Sequence, residues 1–211
     1  MLLDVPFYTN TNDGNQCYQV CMQAVLDYYL GKKYSVEELD KLTKRKTGMW
    51  TWTTQIVPVL YDLGLEVKYY SKDNPELFSG GEKAIRDYFG QDAEKILEHT
   101  DVPVMIESIE NCQKYNLFEE RVLPFKEIED HLSQNHVVLA LIDWNIIAEK
   151  EDLFEGHMVV VIGFDDNHVY YHESGPVNPQ PNKKVSKKLF IRAWNEPSTG
   201  NDLVIIMGKR S

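Results

Sequence analysis

The chain is poor in several things that would each define a class. It has only three cysteines, Cys17, Cys21 and Cys112, an odd number without framework spacing, which excludes a disulfide scaffold and fits a reducing compartment. Positive charge is in the minority: 22 Lys and Arg against 33 Asp and Glu give a net charge of −11. That balance argues against a nucleic-acid surface, which needs clustered cations, and the short basic runs at 41–46 and 183–188 look like solvated faces. Long apolar runs are missing as well. The longest, "HVVLALIDW" and "HMVVVIGF", are too short to span a bilayer, and "MLLDVPFYTN" has no basic region followed by an apolar stretch. A cytoplasmic protein with no membrane or nucleic-acid partner is expected. Neither an internal repeat nor a Gly/Pro-rich linker divides the sequence, so residues 1–211 are expected to form one domain.

What remains has an ordinary apolar fraction of 43% and clear local signals. Val20, Cys21, Ala24, Val25 and Tyr28 recur at helical spacing over residues 17–29, and Gly31 stops the pattern, giving an amphipathic first helix that starts at Cys17. Ser35 and Glu38 form a capping box for a second, more polar helix. A tryptophan-rich loop, "GMWTW", leads into a third helix containing Pro58, and "LEVKYY" predicts a strand. The charged middle predicts helices near 82–88 and 92–99 and a short strand at 102–106. A helix at 125–132 precedes strands at 137–143, 157–164 and 169–173, the last two joined by the turn-forming Asp165, Asp166 and Asn167. Ser186 caps a final helix running through Trp194, and "DLVIIM" supplies a last strand. Helices early and antiparallel strands late indicate an α+β fold.

Chemistry concentrates at three points. A cysteine at a helix start faces unpaired N–H groups and the positive end of the helix dipole, which favour thiolate. Cys17 is such a residue. His157, at the start of an apolar strand after Gly156, is a candidate base, and Glu173, at the end of the hairpin's second strand, lies at the same open end. The same residues admit a packing reading, since Cys21 lies one turn from Cys17 and both could face the core. Trp50 and Trp52 are candidates for a cleft wall or for hinge packing, and Asn145 in "DWN" for a turn. CxxxC lacks the two-residue knuckle spacing and has no matched second pair, so no metal site is expected.

Two blocks, in order, resemble the C39-like, papain-like cysteine peptidases. "DVPFYTNTNDGNQCYQVCMQAVLDYYLG" is similar to their opening: a short strand, a polar loop, the nucleophilic cysteine and its helix. "GHMVVVIGFDDNHVYYHESGP" is similar to their second block, and "VSKKLFIRAW" to the helix that follows it. Residues 69–123 lie outside the resemblance and form an atypical middle segment. The resemblance implies a papain-like fold, an amino-terminal helix packed on an antiparallel sheet, with Cys17 as nucleophile and His157 as general base. The orienting carboxylate falls on Glu173, where the family has aspartate; glutamate is longer by one methylene, about 1.5 Å of reach. The oxyanion amide falls near Asn10, with Gln16 as the other amide at hand. The implied activity is hydrolysis of a peptide or related amide through a thioester, without a cofactor. Acyl transfer, and a catalytically silent peptide-binding module, use the same cleft and stay open.

Overall fold

The computed structural model describes residues 2–10 and 14–210, so the middle of the polar loop before Cys17, residues 11–13, lies outside it. In chain order the elements are α1 (Cys17–Leu30), α2 (Val36–Leu42), α3 (Thr53–Asp62), β1 (Leu65–Ser71), α4 (Glu82–Phe89), α5 (Ala93–Glu98), α6 (Val102–Lys114), β2 (Phe118–Glu120), α7 (Phe125–Ser133), β3 (Val137–Asp143), α8 (Trp144–Ile147), β4 (Gly156–Phe164), β5 (His168–Glu173), β6 (Gln180–Ser186), α9 (Lys187–Trp194) and β7 (Leu203–Lys209). The strands make one seven-stranded sheet in the order β2-β1-β7-β3-β4-β5-β6. Every neighbouring pair is antiparallel except β1 with β2, so the sheet is mixed rather than purely antiparallel.

The central strands β3 and β4 are apolar throughout because both their faces are covered. Helices α1 and α3 pack together over β4, β7 and β1, while α7 and α9 cover β3 and β4. Residues 17–26 of α1 are buried all round, which corrects the amphipathic expectation. The polar members of that stretch survive burial by bonding: Gln19 Nε2 donates to Thr43 and Thr51 at 3.2 and 3.0 Å, and Gln23 Nε2 donates to the Tyr34 carbonyl at 2.7 Å. Gly31 ends the helix at φ 64°, a conformation that glycine adopts at no steric cost. The Ser35 box is present, with Glu38 N–H bonded to Ser35 Oγ at 3.1 Å and Ser35 N–H to Glu38 Oε2 at 2.7 Å.

The strand expected at 102–106 is instead the first turn of α6. Asp101 caps it by accepting the Val104 N–H at 3.4 Å, and Pro103 sits in the first turn, where a missing N–H costs nothing. Met105, Ser108, Ile109 and Cys112 then form its buried stripe. With Phe78, Ile85 and Ala93, Met105 and Ile109 build a small second core, against which Trp52 and Phe89 pack. Strand β6 went unforeseen because it is an almost wholly polar edge strand. Among the described residues, no helix is long and apolar enough to cross a membrane.

Candidate active site

Cys17 is the first residue of α1, and α1 lies across β4. That packing brings the sulfur to the start of β4, where His157 follows Gly156. The Cys17 thiol and the His157 ring are close enough for each to shift the other's ionisation. His157 Nε2 lies 2.7 Å from Glu173 Oε1, which leaves Nδ1 as the ring nitrogen available to the sulfur. Register explains the glutamate. Val160 pairs with His172, so Glu173 continues opposite Val159 and is diagonal to His157 on the same face. Diagonal partners are about 7–8 Å apart at the backbone, and the extra methylene helps span that gap. A bulge between Tyr171 and Glu173 in the β5–β6 pairing sits at the same point.

The carboxylate is held from three sides. Besides His157, the Gly175 N–H donates to Oε1 at 3.2 Å and Lys183 Nζ lies 3.4 Å from Oε2. Burial opposes the charged form of Glu173, but His157, Lys183 and the Gly175 N–H outweigh it and hold its pKa below the usual carboxylate value. Burial likewise disfavours imidazolium at His157, yet Cys17 and Glu173 push its pKa well above that of a free histidine. At Cys17 burial opposes ionisation, and His157 together with the Met158 and Tyr18 N–H groups overcomes it, so the thiol pKa falls. All three shifts favour a thiolate–imidazolium pair braced by a carboxylate. Cys21 is the reverse case. Its thiol donates to the Met158 carbonyl at 3.4 Å, and burial plus the charges of Cys17 and Glu173 drive its pKa well up.

The two expected oxyanion amides are committed elsewhere. Asn10 Nδ2 donates to the carbonyls of Gly14 and Gly175 at 3.1 and 3.4 Å, and its backbone N–H to Ser174 O at 2.7 Å, so this residue stitches the polar loop to the end of β5. Gln16 Nε2 donates to Asp40 Oδ2 at 2.8 Å, which Arg45 also binds. Neither residue lines the cavity in front of the sulfur, whereas Asn15 does. The Cys17 backbone N–H, in the first turn, has no partner within the helix.

That cavity measures about 980 Å³ and has Cys17 and His157 in its lining. Trp50 and Trp52 both line it; Trp50 stacks on His99 with ring centroids 4.7 Å apart, and Trp52 Nε1 donates to Thr100 at 3.2 Å. Phe78, Tyr88 and Phe89 from the middle segment form part of the wall, so that segment shapes the cleft. Asp143 caps α8 and Asn145 Nδ2 donates to the Leu153 carbonyl at 2.7 Å, tethering a rim loop whose Leu153 is 85% exposed. Sequence reasoning missed Asp202, which lies in the same cavity wall between Thr53 and Tyr69. Its only local signal was an acidic residue before an apolar strand. Among the described residues, no group of three or more His, Cys, Asp or Glu is placed to hold a metal ion.

A family model described as guanylylate cyclase matches residues 9–206. The chain belongs to the guanylylate cyclase family. No curated protein matches this family member in sequence. Its fold is that of the C39-like peptidases, as the sequence blocks suggested. A Bacillus anthracis protein described as a C39-like peptidase superposes with a TM-score of 0.60 at 12% identity, covering 100% of this chain and 98% of its own. The peptidase domain of Streptococcus ComA, a bifunctional ABC transporter of a quorum-sensing pathway, gives 0.51 at 14% identity, covering 96% and 97%. A double-glycine-motif protease from an AMS/PCAT transporter, solved with a leader peptide, gives 0.51 at 13%, covering 100% and 94%. At such identities these likenesses speak for the fold.

Proposed function

We propose that this member of the guanylylate cyclase family is a cysteine-dependent hydrolase of a peptide or related amide bond. The observation that carries the reading is His157, bonded to Glu173 at 2.7 Å and set beside the Cys17 thiol, at the wall of a cavity large enough for a short peptide. In the proposed reaction the Cys17 thiolate attacks the carbonyl carbon and the C–O π pair moves to oxygen. The Cys17 N–H at the helix start steadies that oxyanion. His157 gives its Nδ1 proton to the departing amine, leaving a thioester. His157 then takes a proton from water, which attacks the thioester and releases the acid. Glu173 keeps Nε2 protonated and the ring aimed throughout.

The family's name raises cyclisation of GTP as a second reading. The described cavity lining sets Lys72 and Lys95 against Asp73, Asp92, Glu155 and Asp202, a poor surroundings for a triphosphate and a suitable one for a peptide. Labelling decides the thiol chemistry: with iodoacetamide at a pH well below that of a free thiol, mass spectrometry is expected to find carbamidomethyl on Cys17 and not on Cys21 or Cys112. A Cys17 that titrates like an ordinary thiol, or GTP turnover that persists in Cys17→Ala, would overturn the proposal.

A further inference from the structure

Asp202 precedes β7, the strand that lies next to β3, which in turn lies next to β4. Its carbonyl accepts the Leu141 N–H at 3.1 Å, Leu141 pairs with Met158, and His157 is the next residue on β4. The Asp202 backbone is therefore about two strand spacings, roughly 10 Å, from the backbone of His157. Asp202 is only 9% exposed, yet it is one of the residues that line the cavity. Two hydroxyls hold it: Thr53 Oγ1 donates to Oδ2 at 2.5 Å and Tyr69 OH to Oδ1 at 2.9 Å, while the nearby Ser71 hydroxyl donates to the Gly200 carbonyl at 2.9 Å. Tyr18, the neighbour of Cys17, joins the network through Thr53 at 3.0 Å.

No cation completes this arrangement. Among the described residues Asp202 makes no ion pair; Lys72, a lysine of the same wall, instead donates to the Pro197 carbonyl at 2.7 Å and lies 3.9 Å from Asp73. Burying a carboxylate without a counter-charge is costly, and an amide or apolar residue would serve the fold better. The two hydroxyls fix the carboxylate's orientation and leave acceptor capacity on its oxygens, a geometry suited to a donor that arrives through the cavity.

We propose that Asp202 is a specificity residue that binds a cationic side chain of the substrate, a lysine or arginine within two or three residues of the bond attacked by Cys17. An extended chain advances about 3.3 Å per residue, so the roughly 10 Å between the backbones of Asp202 and His157, the partner of Cys17, corresponds to about three residues, fewer when the cationic stem contributes its own length. The inference rests on the hydrolase reading of the same cavity.

Peptidyl chloromethyl ketones test it. The Cys17 sulfur displaces chloride, forming C–S as C–Cl breaks, and the peptide part reports binding. Matched tripeptidyl reagents carry lysine, or uncharged acetyl-lysine, at each position in turn, and every rate is normalised to the iodoacetamide rate of the same protein. At one position lysine is expected to react about tenfold faster than acetyl-lysine, and Asp202→Asn to erase that preference. A second readout needs no variant: the lysine preference of the wild-type protein should fall as Asp202 is protonated, with Asp73, Lys72, Tyr18, Tyr69 and Tyr88 the other titratable groups at that end of the cavity. Equal rates for lysine and acetyl-lysine at every position, or a preference that survives Asp202→Asn, overturn the inference while a reactive Cys17 upholds the hydrolase reading. A Cys17 inert to iodoacetamide overturns both.

Discussion

Glu173→Gln removes one charge from the candidate triad while keeping its size and an oxygen for the Gly175 N–H. In the native site the carboxylate meets His157 Nε2 at 2.7 Å. A hydrogen bond involving a charged group contributes about 1.5–3 kcal/mol and a neutral one about 0.5–1.5, so the substitution costs the imidazolium about 1–1.5 kcal/mol. That is about one pKa unit. The sign follows from the chain of contacts. Glu173 stabilises imidazolium, imidazolium stabilises thiolate, and Lys183, left 3.4 Å from a neutral amide, adds an uncancelled positive charge that works the same way. The histidine pKa therefore falls and the thiol pKa rises. Alkylation of Cys17 by iodoacetamide, followed across pH by mass spectrometry, should show its rising limb displaced upward by about one unit. On the acid side of that limb the variant is expected to react about tenfold more slowly, and at alkaline pH, where any thiol ionises, the two rates should converge. Superimposable profiles would refute the claim that Glu173 acts through His157. A uniform loss at every pH would show instead that the carboxylate merely holds the fold in place.

Three further outcomes are expected. Cys17→Ala should abolish selective labelling and any hydrolysis, whereas Cys21→Ala, which deletes a thiol whose pKa burial has raised, should keep labelling and lose about 1 kcal/mol of stability by denaturant titration. Burial raises the Asp202 pKa from 3.8 to about 6, so its contribution to stability is fully present below about pH 4 and is lost as pH rises through 6; Asp202→Asn should erase that slope, worth about 2–3 kcal/mol between the limits in chemical denaturation. Ser35→Ala breaks the reciprocal box at the start of α2 and should cost about 1 kcal/mol, read as a lower thermal midpoint.

What could be read from the sequence was local. The start of α1 at Cys17, the stop at Gly31, the Ser35 and Ser186 caps and the hairpin around Asp165 each rest on residues within a few positions of one another. The pairing of His157 with Glu173 was legible for the same reason, because a hairpin fixes its own register. The errors came where local signals compete. Val102 to Ile106 is apolar and β-branched enough to suggest a strand, but the Asp101 cap and Pro103 initiate a helix that continues through Lys114. The amides of Asn10 and Gln16 stood at the right distance along the chain, yet their orientation depended on carbonyls at Gly14 and Gly175 and on Asp40, contacts no spacing reveals. Asp202 was invisible for a related reason: Thr53 and Tyr69 reach it only because β7 is inserted between β1 and β3.

That insertion also bears on the family's name. At an effective dielectric constant of about 20, two unit charges 10 Å apart interact by about 1.7 kcal/mol. A triphosphate in the cavity, with its charges about that far from an ionised Asp202, would meet that penalty for each negative charge, with Asp73 adding in the same sense and Lys72 and Lys95 opposing. A divalent cation arriving with the nucleotide cancels two of those charges and leaves the rest in an unfavourable field. A peptide carrying one lysine gains the same 1.7 kcal/mol at that distance, and more when its ammonium reaches the carboxylate. The thiolate–imidazolium pair is itself net neutral, so it does not reverse the balance. The sign of the field across the cavity thus favours a cationic amide substrate over an anionic nucleotide, and it does so through Asp202, outside the three residues that would carry the bond-breaking chemistry.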